Sequence, residues 1–511
     1  MKNLTLVITI LLALMTAKVQ AQICTSSEIP NSLRYMPGPP DLYDTRFESD
    51  IKAYFNGKTV RNTKPRGEQI KTDAGYGTAT LAATFSDQMG FVINQTNSPK
   101  LWRFINDIAT TGGYLCNQTK NLYARIRPCV RFNENPYSSE TLREMRSSYS
   151  YPSAHTATAW CVGLTMAALN PAKQDTLLSR AYQYCQSRVY GGMHWQSDVD
   201  DARHMSAACL ARMLAAPDFF NRFELSRNEI AANTAPDSTA TPAEGPRRVD
   251  GDDYFAPANM PDVLRFLPVP QDGQSPERAY DLDRHLWGKA QRETERGTIA
   301  RINACNNNAV IISDMEYLIH QNINPGVMPS TYQMLETALN AAENACVTAQ
   351  QHYMRKHPFE VFNEDPYTFE DKNEIAATGS YPSVNAAKGW LAALTMVAVA
   401  PEQQDSILLE GYQLGDNNII AGINWQSDVD AGRLVAEAVL ARLISNPDFV
   451  ALLQQAQLEY LGLQNNPITD EEDIKATLGK VANDQEFTID GRPATRDSRG
   501  VIVGRHRKVL R

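Results

Sequence analysis

Residues 194–213 read His-Trp-Gln-Ser-Asp-Val-Asp-Asp-Ala-Arg-His-Met-Ser-Ala-Ala-Cys-Leu-Ala-Arg-Met. Apolar side chains recur in this stretch at steps of three or four residues from Val199 to Met213, so they share one face of an α-helix. Similar spacing is found at 98–116, 154–169 and 174–187, and strand-like alternation is nearly absent. The sequence therefore predicts an all-α fold made of helical-bundle domains.

The same stretch belongs to a segment that occurs twice in the chain. Residues 127–219 align without a gap onto residues 357–449, at a constant offset of 230. The identical runs include 150–153 with 380–383, and 195–200 with 425–430. Chance does not produce such agreement, so we expect two tandem copies of one domain.

Composition predicts the boundaries of these copies. Lys2, the apolar run after it and the small residue Ala21 are typical of a secretory signal peptide, which predicts a periplasmic or secreted protein. The region between the copies is rich in Ala, Pro and Thr and predicts an extended linker. The tail is equally well interpreted as one or two short strands or as a disordered segment. The predicted signal peptide, first copy, linker, second copy and tail are 1–21, 22–230, 231–262, 263–462 and 463–511.

The charge balance limits the partners that we expect. Lys and Arg total 49 against 58 Asp and Glu, for a net charge of −9, whereas a protein that coats nucleic acid usually presents a basic face. After the signal peptide the sequence has no uninterrupted apolar run of about 18 residues, the length that a membrane-spanning helix needs. We therefore expect a small-molecule ligand, no nucleic-acid partner and no membrane span.

All eight cysteines follow the predicted cleavage site, and an even number in an exported protein permits disulfides. Cys305 and Cys346 are the only two in the second copy and form the expected pair. Cys161 and Cys209 lie on helical faces and are equally well interpreted as small buried apolar residues.

Short motifs in the first copy combine residue types that bind a phosphoryl group. Lys120, Arg127 and Arg188 supply three cations, enough to neutralise a phosphate dianion and the oxygens of a five-coordinate transition state. Ser153 precedes a helical pattern. Its hydroxyl and the free N–H groups of that helix start, including the N–H of Ala154, are expected to face an anion.

Two histidines and an aspartate complete the set. His194 and Asp198 are four residues apart and share a helix face. The carboxylate can therefore accept from one ring nitrogen and leave the other as a nucleophile. His155 lies at a different helix start, and we expect it to protonate the leaving oxygen.

Together, Lys-x6-Arg-Pro, Pro-Ser-x-His and Ser-Arg-x5-His-x3-Asp resemble the signature of the class A bacterial non-specific acid phosphatases. These enzymes belong to the type 2 phosphatidic acid phosphatase and vanadium haloperoxidase superfamily. Residues 35–41, 123–128 and 194–200 also look like class A sequence, and the resemblance covers both copies. It implies an acid phosphatase that hydrolyses phosphomonoesters without a metal or cofactor.

The resemblance also implies roles for individual residues. His194 would form a phosphohistidine, Asp198 would orient it, and His155 would act first as acid and then as base. The phosphate-binding residues would be Lys120, Arg127, Ser153 and Arg188. The first copy departs from the family pattern at Ala154, where the family usually has glycine, and the added methyl bears on the rate or the substrate range.

The second copy departs from the pattern much further. Five functional positions become Gln350, His357, Asn385, Asn418 and Asn424. Ser383 and Asp428 remain. We therefore expect the second copy to fold without catalysing, with Asp428 keeping a structural hydrogen bond.

Two other functions remain open at this level. A vanadium-dependent haloperoxidase uses such a pocket because vanadate mimics the phosphoryl transition state. A phosphate-ester binding or scaffold protein would result if Ala154 had crippled the first copy. The duplication also predicts an intramolecular pseudo-dimer, in which the second copy replaces a partner subunit, and leaves further homo-oligomerisation open.

Overall fold

The computed structural model describes residues 22–234 and 251–465, together with three short strands in the tail. The predicted signal peptide and residues 235–250 of the predicted linker lie outside the described residues.

The described residues before the linker form eleven α-helices. They are α1 (Thr45–Val60), α2 (Arg66–Thr72), α3 (Thr78–Met89), α4 (Pro99–Gly113), α5 (Cys116–Tyr123), α6 (Pro128–Arg131), α7 (Leu142–Arg146), α8 (Ala154–Leu169), α9 (Gln174–Tyr190), α10 (Gln196–Leu214) and α11 (Phe219–Thr234).

The described residues after the linker form ten more helices and a small sheet. The helices are α12 (Pro276–Gln291), α13 (Glu295–Asn303), α14 (Asn308–Ile319), α15 (Pro329–Tyr353), α16 (Pro358–Phe362), α17 (Lys372–Ala376), α18 (Val384–Val399), α19 (Gln404–Ala421), α20 (Gln426–Ser445) and α21 (Pro447–Asn465). The strands β1 (Phe487–Thr488), β2 (Val501–Gly504) and β3 (Arg507–Leu510) pair antiparallel in that order.

The predicted all-α fold is confirmed in both halves of the chain. Helices α8 and α18 begin and end 230 residues apart, in agreement with the sequence offset. Residues 156–169 of α8 are all buried, which is typical of a helix at the centre of a bundle. Helices α9 and α10 pack against α8, and α19 and α20 pack against α18 in the same way.

One helical region of the first half is divided where its counterpart is continuous. Helices α4 and α5 are separated by two residues, whereas α15 is a single helix. Gly112 and Gly113 at the break correspond to Ala342 and Glu343 in α15. Glycine in a helix interior costs about 1 kcal/mol relative to alanine, so paired glycines favour ending the helix there.

The two halves share one apolar core, in which α8 packs against α20 and α10 against α18. The fully buried Glu437 carboxylate accepts from the indole N–H of Trp160 at 2.6 Å and of Trp390 at 3.3 Å. These two tryptophans occupy equivalent positions in the repeat. His204 Nδ1 lies 2.6 Å from the same carboxylate. One acidic side chain of the second half therefore joins the centres of both bundles.

Some expectations differ from the structure. All eight cysteines lie within the described residues, and Cys346 carries a free thiol, so the expected Cys305–Cys346 disulfide is not formed. Cys346 is buried inside α15, while Cys305 Sγ donates to the carbonyl of Ile302. Helix α11 continues through Thr234, beyond the predicted end of the first copy, because Ile230 is buried in the core. Among the described helices, none is both long and apolar enough to cross a membrane.

Candidate active site

The motif residues of the first copy lie at helix ends that meet at one end of the bundle. Ser153 and His155 are at the start of α8, and Arg188 is in the last turn of α9. His194 lies in the loop before α10, and Asp198 is in the first turn of that helix. The backbone joins these ends directly, because the Ser153 N–H donates to the Asp198 carbonyl at 3.0 Å and the His194 N–H to the Arg188 carbonyl at 3.2 Å.

Two of the three cations are held by one backbone carbonyl. Lys120 Nζ, near the end of α5, donates to the Tyr149 carbonyl at 2.9 Å. Arg127, immediately before α6, donates to the same oxygen through Nη2 at 3.0 Å and to the Ser148 carbonyl through Nε at 3.2 Å. The loop before α8 therefore brings Lys120 and Arg127 together.

A second carbonyl holds the third cation and one histidine. Arg188 Nη1 and His155 Nε2 each lie 3.3 Å from the Ala74 oxygen. Arg188 is fully buried, and the Tyr76 ring packs edge-on against His155 with 4.8 Å between ring centroids. Because the carbonyl can only accept, His155 carries a proton on Nε2 in this arrangement.

His194 is oriented by groups on both sides of its ring. Arg127 Nη1 lies 2.9 Å from His194 Nε2, and a guanidinium can only donate, so Nε2 is the acceptor. The ring proton is therefore on Nδ1, which lies 3.5 Å from Asp198 Oδ2. His194 is only 1% exposed, so Arg127 covers its nitrogen lone pair in this conformation.

Asp198 is fixed by more groups than the motif suggested. Oδ1 accepts from Arg125 Nη1 at 2.5 Å, while Oδ2 accepts from the Ser150 hydroxyl and from the Trp195 N–H at 2.8 Å. Burial alone would raise the pKa of Asp198, but the Arg125 guanidinium and these hydrogen bonds hold it below its usual range. The carboxylate therefore stays charged beside His194.

Ser153 caps the helix that carries His155. Its Oγ accepts from the Thr156 N–H at 3.3 Å and from the Thr156 hydroxyl at 3.1 Å. A serine oxygen accepts two hydrogen bonds and donates one, so its own proton remains for an anion. Ala154 is the first residue of α8, where a backbone N–H has no partner within the helix.

Burial shifts the pKa values of the cations downward. It lowers the pKa of Lys120 to about 8, and burial with the nearby Arg188 lowers that of Arg127 to about 10. Burial, Arg188 and His194 hold the pKa of His155 well below its usual value. Burial and Arg127 do the same for His194. In this arrangement the pocket therefore combines arginine cations with neutral imidazoles.

The motifs missed three charged residues of this site. Arg125 links Asp198 to Asp50, whose Oδ2 it contacts at 2.7 Å, and Asp50 in turn accepts from the Ser197 N–H at 2.7 Å. Glu140 Oε2 lies 3.4 Å from Arg188 Nη2. Arg125 and Glu140 recur in the second copy at the offset of 230 and Asp50 recurs at 231, and this recurrence was the available signal.

The corresponding pocket of the second half retains the backbone carbonyls that surround the site, but they contact different side chains. His357 Nδ1 lies 2.7 Å from the Ile423 carbonyl and Nε2 lies 3.1 Å from that of Thr378. These carbonyls correspond to those of Met193 and Ser148, to which Arg127 donates at 2.8 Å and 3.2 Å. Asp428 accepts from Arg355 at 2.5 Å and from the Trp425 N–H at 2.8 Å. Among the described residues, no cluster of His, Cys, Asp and Glu side chains is suited to hold a metal ion.

Comparisons with known proteins match the sequence of the first copy to a family. The pattern of the PAP2 superfamily matches residues 101–220, which contain all of the predicted site residues of the first copy. A non-specific acid phosphatase of Providencia stuartii is 32% identical over 217 residues, which cover 42% of this chain and 87% of the relative.

Two further relatives agree with this match. A non-specific acid phosphatase of Salmonella typhimurium is 35% identical over 204 residues, covering 40% of this chain and 81% of the relative. An acid phosphatase of Zymomonas mobilis is 27% identical over 198 residues, covering 39% of this chain and 75% of the relative. The chain therefore belongs to the PAP2 superfamily and, within it, to the non-specific acid phosphatases.

Proposed function

We propose that the first copy hydrolyses phosphomonoesters through a phosphohistidine at His194, and that the second copy is a non-catalytic partner. The observation that carries this proposal is the hydrogen bond from Arg127 to His194 Nε2. It requires a lone pair on Nε2 and a proton on Nδ1, which is the tautomer that a nucleophilic imidazole needs.

The first step transfers the phosphoryl group to the enzyme. The substrate dianion draws Arg127 from His194 to its own oxygens, which frees the Nε2 lone pair. Nε2 forms a bond to phosphorus while the bond to the leaving oxygen breaks, and that oxygen takes a proton from His155. The contact between Nδ1 and Asp198 tightens as the His194 ring becomes positively charged.

The second step reverses the chemistry with water. His155, now neutral, accepts a proton from the attacking water, whose oxygen bonds to phosphorus as the phosphorus–nitrogen bond breaks. Inorganic phosphate leaves and His194 is again neutral. Lys120, Arg127 and Arg188 offset the negative charge of the five-coordinate transition state in both steps, with the Ser153 hydroxyl and the Ala154 N–H as further donors.

The second copy lacks the groups that this mechanism requires. The positions of the nucleophile and the acid hold Asn424 and Asn385, and those of two cations hold Asn418 and Gln350. A side-chain amide is neither a nucleophile nor an acid near neutral pH, so this copy cannot carry out the reaction. Its remaining role would be to pack against the first copy. The sequence of the first 21 residues supports export to the periplasm or beyond.

The experiment compares two matched variants in a p-nitrophenyl phosphate assay. His194→Ala should lower turnover by at least about 10⁴-fold, the usual effect of removing a catalytic nucleophile. Asn424→Ala, at the equivalent position, should leave turnover within about twofold of the unmodified protein. Equal loss of activity in both variants would contradict a single active copy.

A further inference from the structure

We infer that the pocket of the second copy is a binding site for a small organic cation that carries hydroxyl groups, such as an amino alcohol or amino sugar. The pocket encloses about 530 Å³, within the usual range for small-molecule sites. It lies where the first copy has its active site, and it is lined by Asn385, Gln350 and Asn424 among others.

The charge of this pocket is inverted relative to the first copy. Among the described residues, its lining has no lysine or arginine and one histidine, His357, whereas three carboxylates line it, those of Glu343, Glu370 and Glu374. Lys388, buried behind the wall, pairs with Glu343 at 2.5 Å. Glu370 accepts from the Asn306 N–H at 2.7 Å, but neither Glu370 nor Glu374 has an ion-pair partner within 4.0 Å among the described residues. An anion such as a phosphate ester would therefore be repelled, and a cation attracted.

Comparison of the two copies shows how this inversion arises. Glu140 in the first copy faces Arg188 at 3.4 Å. Glu370 is its counterpart, but the arginine is replaced by Asn418. Burial raises the pKa of Glu370, as expected for a carboxyl group that has no such arginine beside it. A ligand ammonium group would supply the missing charge.

The orientation of the Asn418 side-chain amide determines which hydrogen-bonding groups the ligand must carry. Asn418 donates to the Leu414 carbonyl at 3.0 Å, so its Oδ1 faces Asn385, which donates to it at 2.9 Å. Because the Asn385 amide N–H faces Asn418, its Oδ1 points away from Asn418. This oxygen is buried and has no hydrogen-bond partner among the described residues. The Gln350 amide N–H donates to the Pro382 carbonyl at 3.3 Å.

These groups select a ligand rich in donors. Two carboxylates and a buried amide oxygen accept hydrogen bonds, and an unpaired buried acceptor costs about 1–3 kcal/mol until it is satisfied. The pocket walls are held in place by Asn424, which donates to the Ser380 carbonyl at 2.7 Å and accepts from Ser383 at 2.9 Å. An ammonium group near Glu370 and hydroxyl groups near Asn385 satisfy all of these requirements.

The test uses calorimetric titration of the full chain with glucosamine and with its neutral isostere glucose, at about pH 6, where an amine is protonated. Glucosamine should bind with a Kd of about 1 mM or tighter, and glucose at least about tenfold more weakly. Glu370→Gln, which keeps the shape of the side chain, and Asn385→Ala should each weaken glucosamine binding by about tenfold while phosphatase turnover is unchanged.

The matched control is His155→Ala, the equivalent of Asn385→Ala in the first copy. It should abolish turnover and leave glucosamine binding unchanged, so a failure of the catalytic proposal is distinguished from a failure of this one. Absence of glucosamine binding, equal binding of glucose, or binding that neither second-copy variant weakens would overturn the inference. Melting temperatures of the variants establish that each one is folded.

Discussion

At the scale of single residues, Arg127 covers the nitrogen of the proposed nucleophile, His194. Arg127 donates to the nitrogen of His194 that must attack, and the ring is almost completely buried. The sequence predicted that His194 and Asp198 meet, but its reason was wrong, because His194 lies in the loop before α10 and not on the helix that carries Asp198. The contact with Arg127 could not be predicted, because it depends on how a distant loop folds over the ring.

Replacing Arg127 should therefore have two opposite effects. Arg127→Ala should lower turnover by about 10²–10³-fold, because one donor to the transition state is lost. It should also speed modification of His194 by diethyl pyrocarbonate, because the lone pair is uncovered. Mass spectrometry of the His194 peptide measures the second effect, and His357→Ala, the matched variant of the second copy, should change neither quantity. Slower modification in Arg127→Ala would contradict this role.

The two histidines also predict how the rate depends on pH. His194 must be neutral and His155 protonated, and the pKa values of both are lowered in this structure. Because burial, Arg188 and His194 depress the pKa of His155, a bound phosphate dianion should raise it again. The falling alkaline limb should thus occur at higher pH for kcat than for kcat/KM, with an acidic optimum. Coincident limbs in the two profiles would contradict this coupling.

At the scale of elements, the start of α10 is fixed by a buried ionic chain that recurs in α20. Arg125 joins Asp50 to Asp198, and Arg355 joins Asp281 to Asp428 with the same geometry. The helices themselves were predictable from their apolar periodicity. The ion-pair network was not predictable, because its members are far apart in sequence. Only their recurrence in both copies pointed to a common role.

The two buried ion-pair networks allow the structural role of such a network to be tested separately from its role in catalysis. Asp50→Asn and Asp281→Asn should each lower stability by about 3 kcal/mol, because each removes a charge from a buried ion pair. Only Asp50→Asn should also lower kcat, by about tenfold, because Arg125 then shifts away from the carboxylate that orients His194. Thermal unfolding and turnover measure the two effects, and a fall in kcat for Asp281→Asn of the same size would contradict the separation.

At the scale of the whole molecule, the second half completes the core of the first. Glu437 accepts hydrogen bonds from a tryptophan of each half and lies against His204. Its counterpart in the first half is Ala207, so this one acidic residue within the apolar run 434–441 was the signal for an asymmetric contact. Its partners could not be inferred, because the sequence does not show which helix faces meet.

The first half should consequently not behave as an independent domain. Residues 22–234 expressed alone expose the apolar faces of α8 and α10 that the second half covers. We expect this fragment to self-associate or precipitate, because large exposed apolar surfaces drive association. Sedimentation velocity measures the oligomeric state of the fragment. A stable, fully active monomer would contradict the interpretation that the second copy replaces a partner subunit.

The most direct test of the central claim is to trap the phosphorylated enzyme. A single turnover with labelled p-nitrophenyl phosphate, quenched in alkali to preserve a phosphorus–nitrogen bond, should leave at most one phosphoryl group per chain, located on His194 by peptide mapping. His194→Ala should carry no label, and Asn424→Ala should carry as much as the unmodified protein. Label on a peptide of the second copy, or undiminished labelling of His194→Ala, would contradict the account.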